Sequence, residues 1–352
     1  MNESPIIANG GRSVRPEIRP APPPRWQRLL KEAVRDPLEL CRILQLPPLC
    51  EAAAVRAARG FPVFAPRGYI DLMRRGDPCD PLLRQVLPLA EELEDTPGFT
   101  TDPVGDGPSM LTSGLLHKYA GRALLVLTGA CAIHCRYCFR RHFPYDETPH
   151  SLAEWAPALD RIKADESIDE VILSGGDPLT LRDESLGRLA ERLAAIGHVT
   201  RLRIHSRLPI VLPERVSDDL LAWLRGTRLT PVMVIHANHP AELSPEVEAA
   251  LGRLADSGVP LLNQSVLLAG VNDSADVLAE LCRRLVDLRV MPYYLHQLDR
   301  VRGAAHFEVA VQTGLELIAE LHRRLPGYAV PRYVREVSGE PYKMVIGGSW
   351  LG

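Results

Sequence analysis

No apolar run in this 352-residue sequence is long enough to cross a bilayer, and Met1 to Pro24 carry neither the charged start nor the apolar core of a secretory signal. A cytoplasmic protein with no membrane partner is the expectation. There is no excess of either charge: a formal net charge of −3 gives no general attraction to phosphate backbones, and no local basic patch leads. Direct nucleic-acid binding is therefore not expected. No repeat of fixed sequence is visible. Cysteine is sparse, seven in all, and Cys41, Cys50, Cys79 and Cys282 stand apart as buried or incidental thiols. In a reducing compartment disulfides are not expected, so cysteines that do cluster point to metal or redox chemistry.

Three do cluster, in Cys131-Ala-Ile-His-Cys135-Arg-Tyr-Cys138, just after the apolar run Ala123-Leu-Leu-Val-Leu-Thr128. No fourth cysteine follows closely. Three thiolates on a short loop can hold three irons of a cubic cluster and leave the fourth iron open. The competing readings are a zinc site completed by His134 or His142, and inert thiols. Structural zinc usually draws on two paired knuckles, and no second pair exists here. The order of preference is cluster, then zinc, then no metal.

Residues 1–25 are rich in Pro, Arg and small side chains, too poor in apolar surface to offset ordering entropy, and are expected to form a flexible Pro-rich arm. Residues 26–115 form a helical N-terminal region. A helical pattern starts at Trp26, and Asp36-Pro37 and Asp80-Pro81 cap helices over Leu38–Leu44 and Leu82–Leu93. Glu94–Gly114, full of Gly, Pro, Asp and Thr, reads as a long surface connection.

Over residues 116–300 short β-branched runs alternate with amphipathic helical stretches. Strands are expected at Ala123–Thr128, Glu170–Ser174, Arg201–His205, Pro231–His236, Pro260–Leu267 and Val290–Leu295. Helices are expected at Ser151–Ala164, Glu184–Ile196, Asp218–Arg225, Pro245–Ser257 and Ala275–Leu288. Six such units argue for an α/β fold with a parallel sheet and right-handed crossovers, doubly wound or curled. The chemistry-bearing residues choose between these. Cysteines follow the first strand, Gly175-Gly-Asp177 the second, Ser206-Arg207 the third, His236 and Asn238 the fourth; Gln264 lies on the fifth, and His296 and Asp299 end the sixth. Groups from many strand ends facing one mouth are what a barrel provides, so a partial (β/α)6 TIM-type barrel is expected, with a short C-terminal segment over 301–352.

The spacing C-x-x-x-C-x-x-C, with Tyr137 before the last cysteine, resembles that of the radical S-adenosylmethionine (SAM) enzymes. The resemblance implies a 4Fe-4S cluster on Cys131, Cys135 and Cys138. It also implies SAM chelating the open iron and an external electron donor whose electron triggers cleavage to a 5'-deoxyadenosyl radical. Ser174-Gly-Gly-Asp177 looks like the motif that receives the SAM amino group. The implied SAM set is Ser174, Gly175, Gly176, Asp177, Ser206 and His236.

A wider resemblance runs from Trp26 to about Gly348. It is carried by Asp80-Pro-Leu-Leu-Arg-Gln-Val86, Gly114-Leu-Leu-His-Lys-Tyr119, Cys138-Phe-Arg-Arg-His-Phe-Pro-Tyr145, Arg201-Leu-Arg-Ile-His-Ser-Arg-Leu-Pro-Ile210, Leu262-Asn-Gln-Ser-Val-Leu-Leu268 and Met291-Pro-Tyr-Tyr-Leu-His296. These stretches are similar to the lysine 2,3-aminomutase family, especially its members that act with elongation factor P. The resemblance implies pyridoxal phosphate (PLP) held by Lys343 as a Schiff base, its phosphate met by Arg122 and Gln264. It further implies Arg140 on the substrate carboxylate, where a planar two-pronged donor suits the task. Asp299 would take the far ammonium, with Glu336 at the place of a partner Asp. Met344 follows Lys343 where the elongation factor P relatives usually have Thr.

The implied activity is conversion of L-α-lysine to (R)-β-lysine, supplied to elongation factor P through its lysyl-tRNA-synthetase-like ligase, by a chain that can be a homo-oligomer. With no cysteine after Cys282, no structural zinc is expected. Lys343 lies outside the six units yet must reach the same site, so N- and C-terminal segments should close the barrel mouth. The alternatives are an aminomutase for another amino acid, a PLP-independent radical SAM enzyme, and a non-catalytic iron-sulfur scaffold or electron carrier.

Overall fold

The strand runs of the alternating region pair with one another in sequence order. The computed structural model describes residues 22–149 and 151–347, so nearly all of the expected arm over 1–25 lies outside the described residues. Its strands are β1 (Met110–Thr112), β2 (Leu115–Tyr119), β3 (Arg122–Val126), β4 (Glu170–Ser174), β5 (Arg201–Ser206), β6 (Thr230–Ile235), β7 (Leu261–Val266), β8 (Val290–His296), β9 (Arg332–Arg335) and β10 (Met344–Val345), in a single sheet ordered β1 to β10. Every pair from β3 to β9 is parallel. The β1–β2, β2–β3 and β9–β10 pairs are antiparallel.

A doubly wound sheet reverses its strand order at a switch point. This sheet does not reverse, so it curls one way, and β1 and β10 remain as edges: a partial barrel. Residues two apart on a strand share a face. One face of β5 buries Leu202 and Ile204 in the core, while Arg203 and His205 line the cavity on the other. The inner face is thus polar and lines a cavity instead of packing solid.

The helices are α1 (Arg25–Lys31), α2 (Pro37–Ile43), α3 (Pro48–Ala58), α4 (Arg67–Ile70), α5 (Pro81–Arg84), α6 (Ala156–Ala164), α7 (Asp183–Ala194), α8 (Leu208–Val211), α9 (Asp218–Gly226), α10 (Pro245–Asp256), α11 (Ala275–Asp287) and α12 (Val311–Arg324). The caps read from the sequence form: Asp36 accepts from Leu38 N, and Asp80 from Leu82 N and Leu83 N, each followed by proline in the first turn. The main core joins α1–α3 and α5 to the outer face of the sheet through Trp26, Leu40, Ala54, Leu82, Leu173 and Leu202.

Some expectations need correction. The helix expected over Leu82–Leu93 ends at Arg84, because Pro88 has no N–H to continue it; a separate 3-10 turn follows at Ala90–Leu93. The helix expected from Ser151 starts at Ala156, with Pro157 in its first turn. The connection Glu94–Gly114 ends in a strand, β1. The strands β2, β9 and β10 and the helices α3 and α12 were not foreseen, since β9 and β10 have too few residues to show a period and form by adding to an existing sheet.

Candidate active site

The cysteine loop leaves the C-terminal end of β3 and is held from two sides. On one side, residues 127–130 run against the end of β4: Leu127 N donates to Ser174 O (3.0 Å), Gly176 N to Thr128 O (2.6 Å) and Asp177 N to Ala130 O (2.8 Å). Gly175 has φ +133°, and a Cβ there would stand 2.6 Å from Thr128 O; one on Gly176 would stand 2.4 Å from Ala130 O. The two glycines therefore make room for the backbone that leads into the cysteine loop. On the other side the N-terminal region clamps the loop. Arg136, fully buried, donates to both oxygens of Glu92 (2.9 and 2.6 Å) and to Phe61 O (2.8 Å), and Arg136 N donates to Gln85 O (2.9 Å).

Cys131, Cys135 and Cys138 line one cavity of about 560 Å³. Burial and then the neighbouring thiols push Cys131 up strongly and Cys138 up to about 11. Thiols so placed ionise only with nearby positive charge, which cluster irons supply. Among the described residues no three His, Cys, Asp or Glu side chains gather closely enough to hold a single metal ion. Three cysteines on one short loop, all lining the cavity, are the donor set that a cubic iron-sulfur cluster takes with its fourth iron open.

The other site residues read from the sequence also line this cavity: Ser174, Gly175, Gly176, Asp177, Ser206, His236, Arg122, Gln264, Arg140, Asp299, Glu336 and Lys343. Asp177 is committed to its own chain. Its carboxylate accepts from Ser206 Oγ (2.8 and 3.0 Å), Arg207 N (2.8 Å), Leu208 N (3.2 Å) and Leu179 N (3.0 Å), tying the end of β4 to the end of β5. Burial raises it to about 6 despite those donors. His236 stacks on Tyr137 at 5.8 Å, and burial followed by the Arg207 charge holds it neutral. Arg122 lies over the Tyr119 ring at 4.9 Å with its Nε buried and without a hydrogen-bond partner, an orphaned donor facing the cavity.

The remaining charges form an alternating row. Arg140 Nε donates to Asp106 Oδ2 (2.7 Å) and its Nη1 to Ser174 Oγ (3.0 Å); Lys118 Nζ lies 2.6 Å from Asp106 Oδ1 and 2.9 Å from Glu336 Oε1; Lys343 Nζ pairs with Glu336 Oε2. Burial pushes Glu336 up, but Lys343 and Lys118 overcome it and bring it down to about 2. Asp299 is not in the row. Burial raises it to about 7, with Lys343 opposing and Glu336 adding. Burial lowers His296 to about 3, and His205 lies well below its ordinary value with Nε2 unpartnered.

Asp106, Lys118 and His205 were missed as site residues, as were the Arg207 contacts described below. One signal was available: the chain has only four lysines, and Lys118 and Lys343 both lie here.

Fold, cysteine loop and cavity together define a radical SAM enzyme, and a sequence profile of the Radical SAM superfamily matches residues 125–282. The chain is 47% identical over 90% of its length to L-lysine 2,3-aminomutase of Escherichia coli (strain K12), covering 93% of that protein. It is 44% identical over 90% of its length to L-lysine 2,3-aminomutase of Haemophilus influenzae, covering 94% of it, and 36% identical over 90% to that of Clostridium subterminale, covering 75% of it. The chain belongs to the lysine 2,3-aminomutase family, radical SAM isomerases that move an amino group. Its family implies a 4Fe-4S cluster and SAM. No helix of the described residues is long and apolar enough to cross a membrane.

Proposed function

We propose that this protein is a PLP-dependent lysine 2,3-aminomutase that converts L-α-lysine to (R)-β-lysine for modification of elongation factor P in the cytoplasm. The observation that carries this reading is Lys343. It lies far beyond the parallel strand-helix units, and β10, which begins at the next residue, pairs antiparallel with β9 at the far edge of the sheet. It lines the same cavity as the three cysteines, Arg122 and Gln264. An amine, a half-buried arginine whose Nε has no hydrogen-bond partner and a neutral amide in one cavity fit PLP, an aldehyde with a phosphate tail.

Bound there, the cluster and SAM would supply a hydrogen-abstracting radical and PLP would carry the migrating nitrogen. The chain's residues bind, orient and exclude water. Arg140, held on one edge by Asp106, presents its other edge to the substrate carboxylate. Asp299 makes no ion pair among the described residues and accepts the far ammonium, while Glu336 holds Lys343 and Lys118 in place. An amino acid ending in a carboxylate would meet Asp299 and Glu336 and be repelled. The irregular 94–109 segment brings Asp106, and the C-terminal segment Lys343, to the cavity, where Lys118 and Glu336 link them, so the two segments close the mouth together.

The test is anaerobic incubation of reconstituted protein with SAM, PLP, reductant and L-lysine, followed by chiral product analysis. (R)-β-lysine that the lysyl-tRNA-synthetase-like ligase transfers to elongation factor P is the expected result. Formation of 5'-deoxyadenosine without β-lysine overturns the substrate reading. Lys343→Ala should lose the absorbance change on adding PLP; an unchanged spectrum with full turnover would favour a PLP-independent enzyme.

A further inference from the structure

The N-terminal region, the cysteine loop and the ends of β5 and β6 meet in a buried polar knot outside the charge row. At its centre is Arg207, 7% exposed, on the turn after β5. Its Nη1 donates to Cys135 Sγ (2.6 Å) and Tyr137 Oη (2.7 Å), and its Nη2 to Gln85 Oε1 (2.7 Å) and Glu242 Oε1 (2.5 Å). Glu242, fully buried, also accepts from Tyr69 Oη (2.8 Å), Asn238 N (2.5 Å) and His239 N (2.9 Å). Asn238 Nδ2 closes the knot on Gln85 (3.0 Å) and Tyr137 (2.7 Å). A buried Arg–Glu pair needs no cysteine to be satisfied, yet one guanidinium nitrogen is spent on a thiol of the cluster loop. Arg136 and Arg141, also on this loop, spend their charge on Glu92 instead.

We propose that Arg207 raises the reduction potential of the cluster carried by Cys131, Cys135 and Cys138, and that Glu242 is the counter-charge that limits this rise. One-electron reduction lowers the cluster's net charge by one, so a cation fixed at hydrogen-bond distance from a ligand sulfur stabilises the reduced form more than the oxidised form. The electron comes from an external donor, dithionite in the test below. No proton moves at Arg207, because a guanidinium stays charged at any working pH. Glu242 sits behind the guanidinium and partly cancels its field, so it acts with opposite sign. Both are positioning residues for the electron-transfer step, and this role holds whether or not lysine is the substrate, because it rests only on the radical SAM cluster.

The test is a redox titration of full-length reconstituted protein without SAM, PLP or substrate, following the reduced cluster by electron paramagnetic resonance, with iron and sulfide content measured for each variant. Arg207→Gln should lower the reduced-to-oxidised ratio at fixed potential at least tenfold, about 59 mV for a one-electron couple. Arg207→Lys should shift it less, and Glu242→Gln should raise the ratio. A knot that served only to hold the loop would lose iron in these variants without moving the potential of the clusters that remain. Potentials that shift the same way in Arg207→Gln and Glu242→Gln, or stay put in both, overturn the proposal. If Arg207→Gln takes up no iron, the sign of the Glu242→Gln shift decides alone.

Discussion

Lysine affinity should fall towards tenfold per pH unit as the pH drops below about 7, and Asp299→Asn should remove that dependence while weakening binding above pH 7. Asp299 is raised from an ordinary 3.8 to about 7, first by burial, with Glu336 adding and Lys343 opposing. A protonated carboxyl cannot pair with an ammonium, so substrate must pay to ionise it: the ionised fraction falls about tenfold for each unit below its pKa. KM for lysine should therefore be nearly flat above pH 8, rise about fivefold between pH 7 and pH 6, and rise about tenfold between pH 8 and pH 6. Hydrogen bonds to charged groups are worth about 1.5–3 kcal/mol, so Asp299→Asn should raise KM at pH 8 on the order of 10- to 100-fold. The assay is initial rates over pH 6–9 on both proteins, with norleucine, which lacks the far ammonium, as a competitive inhibitor. Norleucine's inhibition constant should show no such limb. Matching pH limbs in the wild type and Asp299→Asn, or the same limb for norleucine, would refute the assignment.

Two further outcomes follow from packing. Gly176→Ala places a Cβ 2.4 Å from Ala130 O and 2.8 Å from Ala130 C, both backbone atoms, so the cysteine loop must shift. Iron content after reconstitution should fall severalfold while the far-ultraviolet circular dichroism is unchanged. Gly197→Ala, where a Cβ meets nothing within 4 Å, is the control. Asp106→Asn takes the shared carboxylate from the buried Arg140 and the half-buried Lys118, which keeps Glu336. The denaturant midpoint should drop by the equivalent of about 3–5 kcal/mol, the cost of breaking a buried pair on one side. Asp106→Glu should restore part of it.

Much of this protein was legible along the chain because the responsible physics is local. The β-branched runs at Glu170–Ser174 and Arg201–Ser206, the Asp-Pro caps at 36–37 and 80–81, and the cysteine spacing each depend on residues within a few positions of one another. Recurrence of polar residues after successive strands was enough to place them at one mouth. Where a local signal met a longer-range competitor, local reading failed. The apolar stretch Leu82–Leu93 reads as one helix, but Pro88 ends it and frees Glu92 to turn onto Arg136 and Arg141.

The electrostatics were decided by tertiary structure alone. Lys118 and Glu336 stand 218 residues apart and meet because β2 and the chain after β9 converge on the barrel mouth. Arg207 reaches Gln85 across 122 residues. Four lysines or 44 acids in a sequence carry no record of which are buried together. Identity and spacing determined what the cysteines and Lys343 could hold. Burial and proximity, which exist only once the sheet has curled, decided that Glu336 is lowered to about 2, that Asp299 rises to about 7, and that one arginine gives a hydrogen bond to the Cys135 sulfur.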